Sequence, residues 1–270
     1  MTISLRPSGP FSLPAPVILG LTDDGGDAVA LRAVWVPEAG EVEVDFVSDL
    51  PAERVERHAA RVLSLDVDGS GLAEVAERDP VVGRLVEEAG GRRPVCFGTP
   101  FEAAVWAVLS QRVSMTQAGR VKAAMTASLG TPMDIGGEEA VAFPAPAALA
   151  GLESLEGVWA SKLERIRTLA ALAVAGDLDP EFLRGLDLDD ALAHLQSLPG
   201  IGPFGAMLVL ARGAGHPDVP PPTLRRFRAA VAAAYGLDEQ PGDEKIAELS
   251  VAWRPYRSWV TWLLRSAGVE

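Results

Sequence analysis

The first part of the chain alternates hydrophobic and polar residues at the spacing of β-strands. Val42, Val44 and Phe46 alternate with acidic residues, as expected for a strand with one buried face. The same reasoning predicts strands at 16–19, 28–36 and 41–47, a hairpin loop at 37–40, and a helix at 51–65. The pattern therefore indicates a small module in which a sheet is combined with a helix.

Helical spacing replaces this pattern from Phe101 onward. Phe101, Val105 and Val113 fall on one helical face, and Thr99 with Pro100 provides an N-cap and a first helical residue. Further helices are predicted at 116–129, 145–149, 162–175, 188–196, 205–212, 224–235, 243–252 and 256–267. We therefore expect a mainly α protein with two domains, an acidic sheet-plus-helix domain at 1–80 and an all-α domain at 81–270.

Composition excludes several kinds of protein. The chain has 270 residues, of which 48% are hydrophobic and 23% are charged, and it has no apolar run of about 18 residues that would cross a membrane. Its only cysteine is Cys96, and its three histidines are far apart, so neither a four-cysteine iron–sulfur cluster nor a side-chain metal site is expected. The beginning of the chain lacks a signal-peptide pattern, and we expect a cytoplasmic protein without membrane association.

The negative charge is concentrated near the N-terminus. The net charge of the chain is −13. Residues 1–90 contain 7 basic and 17 acidic residues, so most of the excess lies there. This balance argues against nonspecific clamping of a polyanion, but it permits a local basic face.

A short glycine-containing turn stands out between two predicted helices. Glycine at two of its positions permits positive φ and close approach by another molecule, and the following helix begins with outward amides that favour an anion. A phosphate group is therefore the expected ligand, whereas the alternative is an ordinary corner between helices. The residues of this hairpin are Leu198, Pro199, Gly200, Ile201 and Gly202.

Three motifs resemble one known family. The hairpin resembles that of the helix–hairpin–helix DNA glycosylase superfamily, in its alkylbase branch related to 3-methyladenine glycosylase II. Phe101-Glu-Ala-Ala-Val-Trp-Ala-Val-Leu-Ser-Gln-Arg-Val-Ser is similar to a family helix, and Trp253-Arg-Pro-Tyr-Arg-Ser-Trp is similar to a late family signature. The resemblance implies the helix–hairpin–helix glycosylase fold, with the N-terminal module as its small α+β accessory domain.

The resemblance also implies roles for individual residues. Gln111 and Arg112 match residues that fill the gap left by an extruded nucleotide, although a helix-end contact and a solvated charge are the ordinary alternatives. Phe204 stands where bifunctional relatives carry a Schiff-base lysine, which implies a monofunctional protein with an aromatic base pocket; core packing is the alternative. No cofactor is implied beyond a monovalent cation on the carbonyls of the hairpin.

The chain departs from the family at the catalytic aspartate. Pro222 and Thr223 occupy the expected position, and Asp218 is the one acid between the hairpin and Tyr235. We treat Asp218 as a catalytic candidate, with a loop or capping role as the alternative. A carboxylate beside a developing positive charge contributes about 3–4 kcal/mol. Purines alkylated at N3 or N7 tolerate its loss best, because they are already cationic and leave as neutral bases.

Two hypotheses follow for function. The first is a monofunctional glycosylase of base-excision repair that flips and hydrolytically releases alkylated purines such as 3-methyladenine or 7-methylguanine. The second is a catalytically impaired protein of the same fold that binds damaged DNA. In both cases the expected partner is double-stranded DNA containing damaged bases, bound by a monomer.

Overall fold

A computed structural model describes residues 1–267. Its N-terminal part is an antiparallel sheet of order β1-β4-β3-β2, covered on one face by helix α1. The alternation in β4 is confirmed, because Val42, Val44 and Phe46 are buried. The hairpin loop before β4 is also confirmed, and Gly40 has φ +65° there. The bounds are β1 Thr2–Leu5, β2 Val17–Thr22, β3 Ala28–Val36, β4 Glu41–Val47 and α1 Ala52–Val62.

The remainder of the described chain is mostly helical, which confirms the predicted fold class. No helix within residues 1–267 is long and apolar enough to span a bilayer. The elements are α2 Leu72–Arg78, α3 Pro80–Ala89, α4 Pro100–Leu109, α5 Met115–Leu129, β5 Thr131–Ile135, β6 Glu138–Ala142, α6 Pro146–Ala150, α7 Ala160–Ala175, α8 Pro180–Gly185, α9 Leu188–Ser197, α10 Pro203–Leu208, α11 Arg225–Tyr235, α12 Asp243–Val251 and α13 Arg257–Ala267. A π-helical turn, Val209–Gly213, continues α10.

The prediction that everything after residue 80 is helical is wrong at one place. Strands β5 and β6 form a hairpin whose tight turn uses Gly136 and Gly137, both at positive φ. Ile135 packs against Ala30 of the N-terminal sheet, so the hairpin is stabilised by a contact remote in sequence. Local periodicity over five-residue strands was too short to reveal it.

Three large hydrophobic clusters form most of the core of residues 1–267, in addition to the small contact between Ile135 and Ala30. The first lies under the N-terminal sheet, the second surrounds α4, and the third joins α2 and α3 to the last three helices. In the third, Trp253 is fully buried and its indole Nε1 donates to the Asp79 carboxylate at 3.1 Å. The late signature therefore connects the helices that follow the N-terminal sheet to the last helices of the chain. The domain division at residue 80 stays a prediction, because packing does not show which part folds alone.

Candidate nucleic-acid interface

The hairpin between α9 and α10 is anchored on one side and open on the other. Leu198 and Ile201 are buried in the hydrophobic cluster that surrounds α4, and the Ile201 amide donates to the Leu198 carbonyl at 3.1 Å. Gly200 has φ +83°, a conformation that favours glycine. Pro199 is half-buried between these two anchors and the glycine.

Gly202 has no structural reason to be glycine. Its φ is −88°, which any residue adopts, and a Cβ added there would meet no atom within 4 Å. The amides of Gly200 and Gly202 donate to no acceptor among residues 1–267. The hairpin thus presents uncovered N–H groups outward at the start of a helix, where an anion is favoured.

Gln111 joins the end of α4 to the hairpin. Its Nε2 donates to the Gly200 carbonyl at 2.6 Å, and its Oε1 accepts from Arg165 at 3.2 Å. The helix that the sequence predicts through Val113 ends instead at Leu109, because the Lys162 ammonium donates to the carbonyls of Leu109 at 2.8 Å and Gln111 at 2.7 Å. These contacts hold the chain in a tight turn beside the hairpin.

Arg112 lies on this turn, exposed and left-handed, with φ +56°. For a non-glycine residue that conformation costs about 1 kcal/mol. Arg112 also lines a cavity of about 240 Å³ together with Lys162, Arg165 and the 78%-exposed Trp159. Sequence reasoning missed this basic cavity, because Lys162 and Arg165 belong to no recognisable motif.

Phe204 lies at the edge of a larger groove. This groove, of about 810 Å³, lies between α10 with its π turn, the loop that contains Val219, α11 and α13. Met207, Leu208 and Trp262 form apolar parts of its wall. Because Phe204 is 37% exposed and faces this space, ordinary core packing does not describe it.

The groove is basic and has no acidic lining residue in the part of the chain that the structure describes. Arg212, Arg226 and Arg265 line it, as does Pro222, while the neighbouring Thr223 is exposed. Burial lowers the pKa of Arg265, and the charges of Arg212 and Arg226 lower it further. The guanidinium group of Arg265 therefore lies near enough to those of Arg212 and Arg226 to be repelled by both.

Asp218 lies outside the groove lining and is bound to Arg257. Its Oδ1 accepts from Arg257 Nε at 2.8 Å and from the Arg257 amide at 3.2 Å, and its Oδ2 accepts from Nη2 at 2.9 Å. Arg257 is only 5% exposed, so the late signature supplies a buried ion pair here and not a phosphate contact. The catalytic role of Asp218 stays a prediction.

Comparison with known proteins places this geometry among DNA repair proteins. No protein-family model matches the chain. The chain is 26% identical over 249 residues to the DNA-3-methyladenine glycosylase of Bacillus subtilis, covering 88% of this chain and 82% of that protein. It is 34% identical over 204 residues to a probable bifunctional transcriptional activator/DNA repair enzyme AlkA of Mycobacterium tuberculosis, covering 74% of this chain but 40% of that protein. It is 31% identical over 188 residues to DNA-3-methyladenine glycosylase 2 of Escherichia coli, covering 66% and 61%.

Solved structures share the fold over most of the chain. A 3-methyladenine DNA glycosylase from Archaeoglobus fulgidus superposes with a TM-score of 0.72 at 23% identity, covering 98% of this chain and 97% of that one. Mag1, the 3-methyladenine DNA glycosylase of Schizosaccharomyces pombe, in complex with abasic DNA, gives 0.57 at 20% identity, covering 73% and 95%. The first of these likenesses includes the N-terminal sheet.

Proposed function

Because the chain belongs to the helix–hairpin–helix DNA glycosylase superfamily, in its alkylbase branch, we propose that it is a monofunctional glycosylase of base-excision repair. It binds double-stranded DNA as a monomer, extrudes an alkylated base and hydrolyses the N-glycosidic bond. The observation that carries the proposal is the hairpin with uncovered amides, followed at once by a helix that lines a groove of about 810 Å³, which is large enough to admit a base. The relatives' names for 3-methyladenine support alkylated purines, 3-methyladenine and 7-methylguanine among them, as the substrate class.

The hairpin grips the DNA backbone. The amides of Gly200 and Gly202 donate to a phosphate at the positive end of the helix that begins at Pro203. A side chain at Gly202 would occupy the space that the phosphate needs. This accounts for a glycine at a position where neither backbone conformation nor packing requires one.

Arg112 fills the gap left by the extruded nucleotide, and Gln111 positions the hairpin. Gln111 is already committed to the Gly200 carbonyl, whereas Arg112 extends from an exposed turn. Extrusion of a base costs a few kcal/mol. A side chain inserted into the vacated stack offsets part of that cost.

The groove receives the extruded base. Phe204 at its edge provides an aromatic face for stacking, and the described lining residues include no lysine that would form a Schiff base. Water is therefore the nucleophile: the bond between C1′ and the base nitrogen breaks with its electron pair going to the base, the oxygen of water bonds to C1′, and the proton that water loses passes to solvent or to the departed base.

The hairpin carbonyls fit a monovalent cation such as K⁺. The carbonyls of Pro199 and Ile201 accept no hydrogen bond from residues 1–267, and they lie next to the carboxyl end of α9, where the helix dipole favours a cation. The carbonyl oxygens of Pro199 and Ile201 would hold such an ion, and its positive charge would strengthen binding of the anionic DNA backbone. DNA affinity measured in K⁺ is then higher than in tetramethylammonium at equal ionic strength, and equal affinities would remove the cation from the proposal.

One observation favours a second candidate, a damaged-DNA-binding protein that does not cut. No carboxylate is among the described residues that line the groove, so nothing there stabilises a cationic sugar in the usual way. The two candidates differ in product. Duplexes that contain single alkylated bases are incubated with the protein and heated in alkali, which cleaves abasic sites; release above the spontaneous rate identifies the glycosylase, and tight binding without release identifies the binding protein.

The hairpin has a matched control in the same chain. Gly242 is also an N-cap glycine in extended conformation with no atom within 4 Å of an added Cβ. We expect Gly202→Val to weaken binding to every duplex about tenfold, the loss of about one charge-assisted hydrogen bond, while Gly242→Val leaves it unchanged. Equal affinities of the two variants would contradict phosphate binding by the hairpin.

A further inference from the structure

Three arginines from separate elements converge on the groove. Arg212 lies on the π turn, Arg226 on the first turn of α11, and Arg265 on the last turn of α13. None of them forms an ion pair with another described residue. In a chain of net charge −13, three cations without a neighbouring acid are not explained by composition.

The three groups also retain hydrogen-bonding capacity. The guanidinium groups of Arg226 and Arg265, which are both exposed residues, donate to no acceptor among residues 1–267. Arg212 uses one terminal nitrogen on the Val95 carbonyl, and its Nε has no acceptor. Repulsion within the cluster is relieved when a group that carries negative charge or hydrogen-bond acceptors enters the groove.

We propose that the arginine cluster, formed by Arg212, Arg226 and Arg265, makes the groove selective for neutral alkylated bases with exposed hydrogen-bond acceptors over cationic alkylpurines. This inference rests on the proposed function. A cationic base adds a fourth positive charge to the groove. A neutral base instead offers ring nitrogens or carbonyl oxygens to the guanidinium groups. The arginines are thus specificity-determining residues of the same site.

The same cluster acts on the chemical step. When the bond between C1′ and the nitrogen of a neutral base breaks, its electron pair stays on the base, which departs as an anion. Guanidinium groups stabilise that negative charge. Water adds to C1′, and the proton it releases ends on the departed base, so charge and atoms balance. A cationic base departs neutral and gains nothing from the arginines.

This arrangement moves electrostatic stabilisation from the sugar to the base. The family pattern stabilises the positive sugar with a carboxylate, and Pro222 and Thr223 remove that group here. Sequence reasoning alone predicts that cationic purines tolerate the loss best. The arginines reverse that order, since they favour bases that leave with a negative charge.

The test compares a neutral and a cationic alkylated base in one duplex sequence. Ethenoadenine is the neutral probe and 7-methylguanine is the cationic one, and each rate is divided by its spontaneous rate. The variants are Arg226→Gln and Arg265→Gln. The control is Arg225→Gln, because Arg225 is an exposed neighbour on α11 that does not line the groove.

We expect the wild-type protein to favour ethenoadenine. Each groove variant lowers the release of ethenoadenine about tenfold and leaves the release of 7-methylguanine unchanged or raises it. The control variant Arg225→Gln releases both bases as the wild-type protein does. If the ratio of the two rates is the same in all proteins while release persists, the inference is overturned and the proposed function stands. If neither base is released, the proposed function fails, and selectivity is then judged from the ratio of the affinities for the ethenoadenine duplex and the 7-methylguanine duplex. A ratio that changes only in the groove variants supports the inference. A ratio that is the same in all proteins overturns the inference.

Discussion

Asp218 is the one acid near the position of the family's catalytic aspartate. Its ion pair with Arg257 allows a structural role to be tested against a catalytic one. Three donors of Arg257 reach the Asp218 carboxylate at 2.8, 2.9 and 3.2 Å. The Asp218 side chain is 18% exposed and the Arg257 side chain is 6% exposed. The perturbation is Asp218→Asn, which keeps the shape and one acceptor while removing the charge.

The magnitude follows from burial. Removing one partner of a buried ion pair costs about 3–5 kcal/mol. Asn retains one oxygen that accepts from the arginine, and the carboxylate is partly exposed, so we expect a loss of about 2 kcal/mol in the free energy of unfolding. Asp218→Ala leaves the Arg257 guanidinium without its partner and should cost about 3 kcal/mol or more.

The assay measures stability and base release on the same samples. Urea unfolding gives the free energy, and single-turnover release is measured at a temperature at which every variant is folded. The structural role predicts a large loss of stability with release by folded protein within about threefold of wild type. A hundredfold loss of release with unchanged stability would refute this reasoning and identify Asp218 as catalytic.

Two further predictions test the wedge turn and Asp24, a partly exposed acid remote from the groove. Arg112→Gly relieves the left-handed strain, so it should raise the free energy of unfolding by about 1 kcal/mol while lowering base release about tenfold; a fall in both, measured by urea unfolding and single-turnover kinetics, would contradict the assignment of Arg112 as the wedge. Burial raises the pKa of Asp24 to about 6, against the attraction of Arg61 and with help from Asp179. Protonation of Asp24 therefore favours the folded state below pH 4, and that stability is lost as the pH rises to 6. The Asp24 side chain is 30% exposed, so solvent screens part of the effect, and Asp24→Asn should raise the free energy of unfolding by about 1 kcal/mol at pH 7.5 and not at pH 3.5; the same gain at both pH values would refute the desolvation argument.

Sequence patterns predicted the elements whose signals are local. Strand β4 follows from strict alternation, the start of α4 from the cap at Thr99, and the tight turn of the hairpin from Gly200, which has φ +83°; in the structure the Thr99 hydroxyl accepts from the Glu102 amide at 3.0 Å. Each of these features depends on residues within a few positions of one another. Short-range stereochemistry is therefore sufficient to specify them.

Features that depend on distant residues escaped prediction. The helical pattern of α4 continues to Val113, yet the helix ends at Leu109 because Lys162, from α7, binds its last carbonyls. Strand β1 has only four residues and is held by pairing with β4. Arg257 of the late signature pairs with Asp218 because the fold brings the start of α13 against that loop, and no local pattern predicts this contact.

The arginine groove shows why the site could be only half predicted. A phosphate-binding hairpin needs a contiguous motif, so its residues are adjacent in sequence and recognisable. A base-binding groove needs only that its walls converge, and Arg212, Arg226 and Arg265 come from three elements in a chain whose basic residues are mostly arginine. Loss of the family aspartate, taken alone, favours weakened catalysis on cationic bases. The loss of the aspartate together with three arginines that face the same groove favours stabilisation of the leaving base instead of the sugar. A groove that is lined by cations and not by acids stabilises the negative charge that develops on that base.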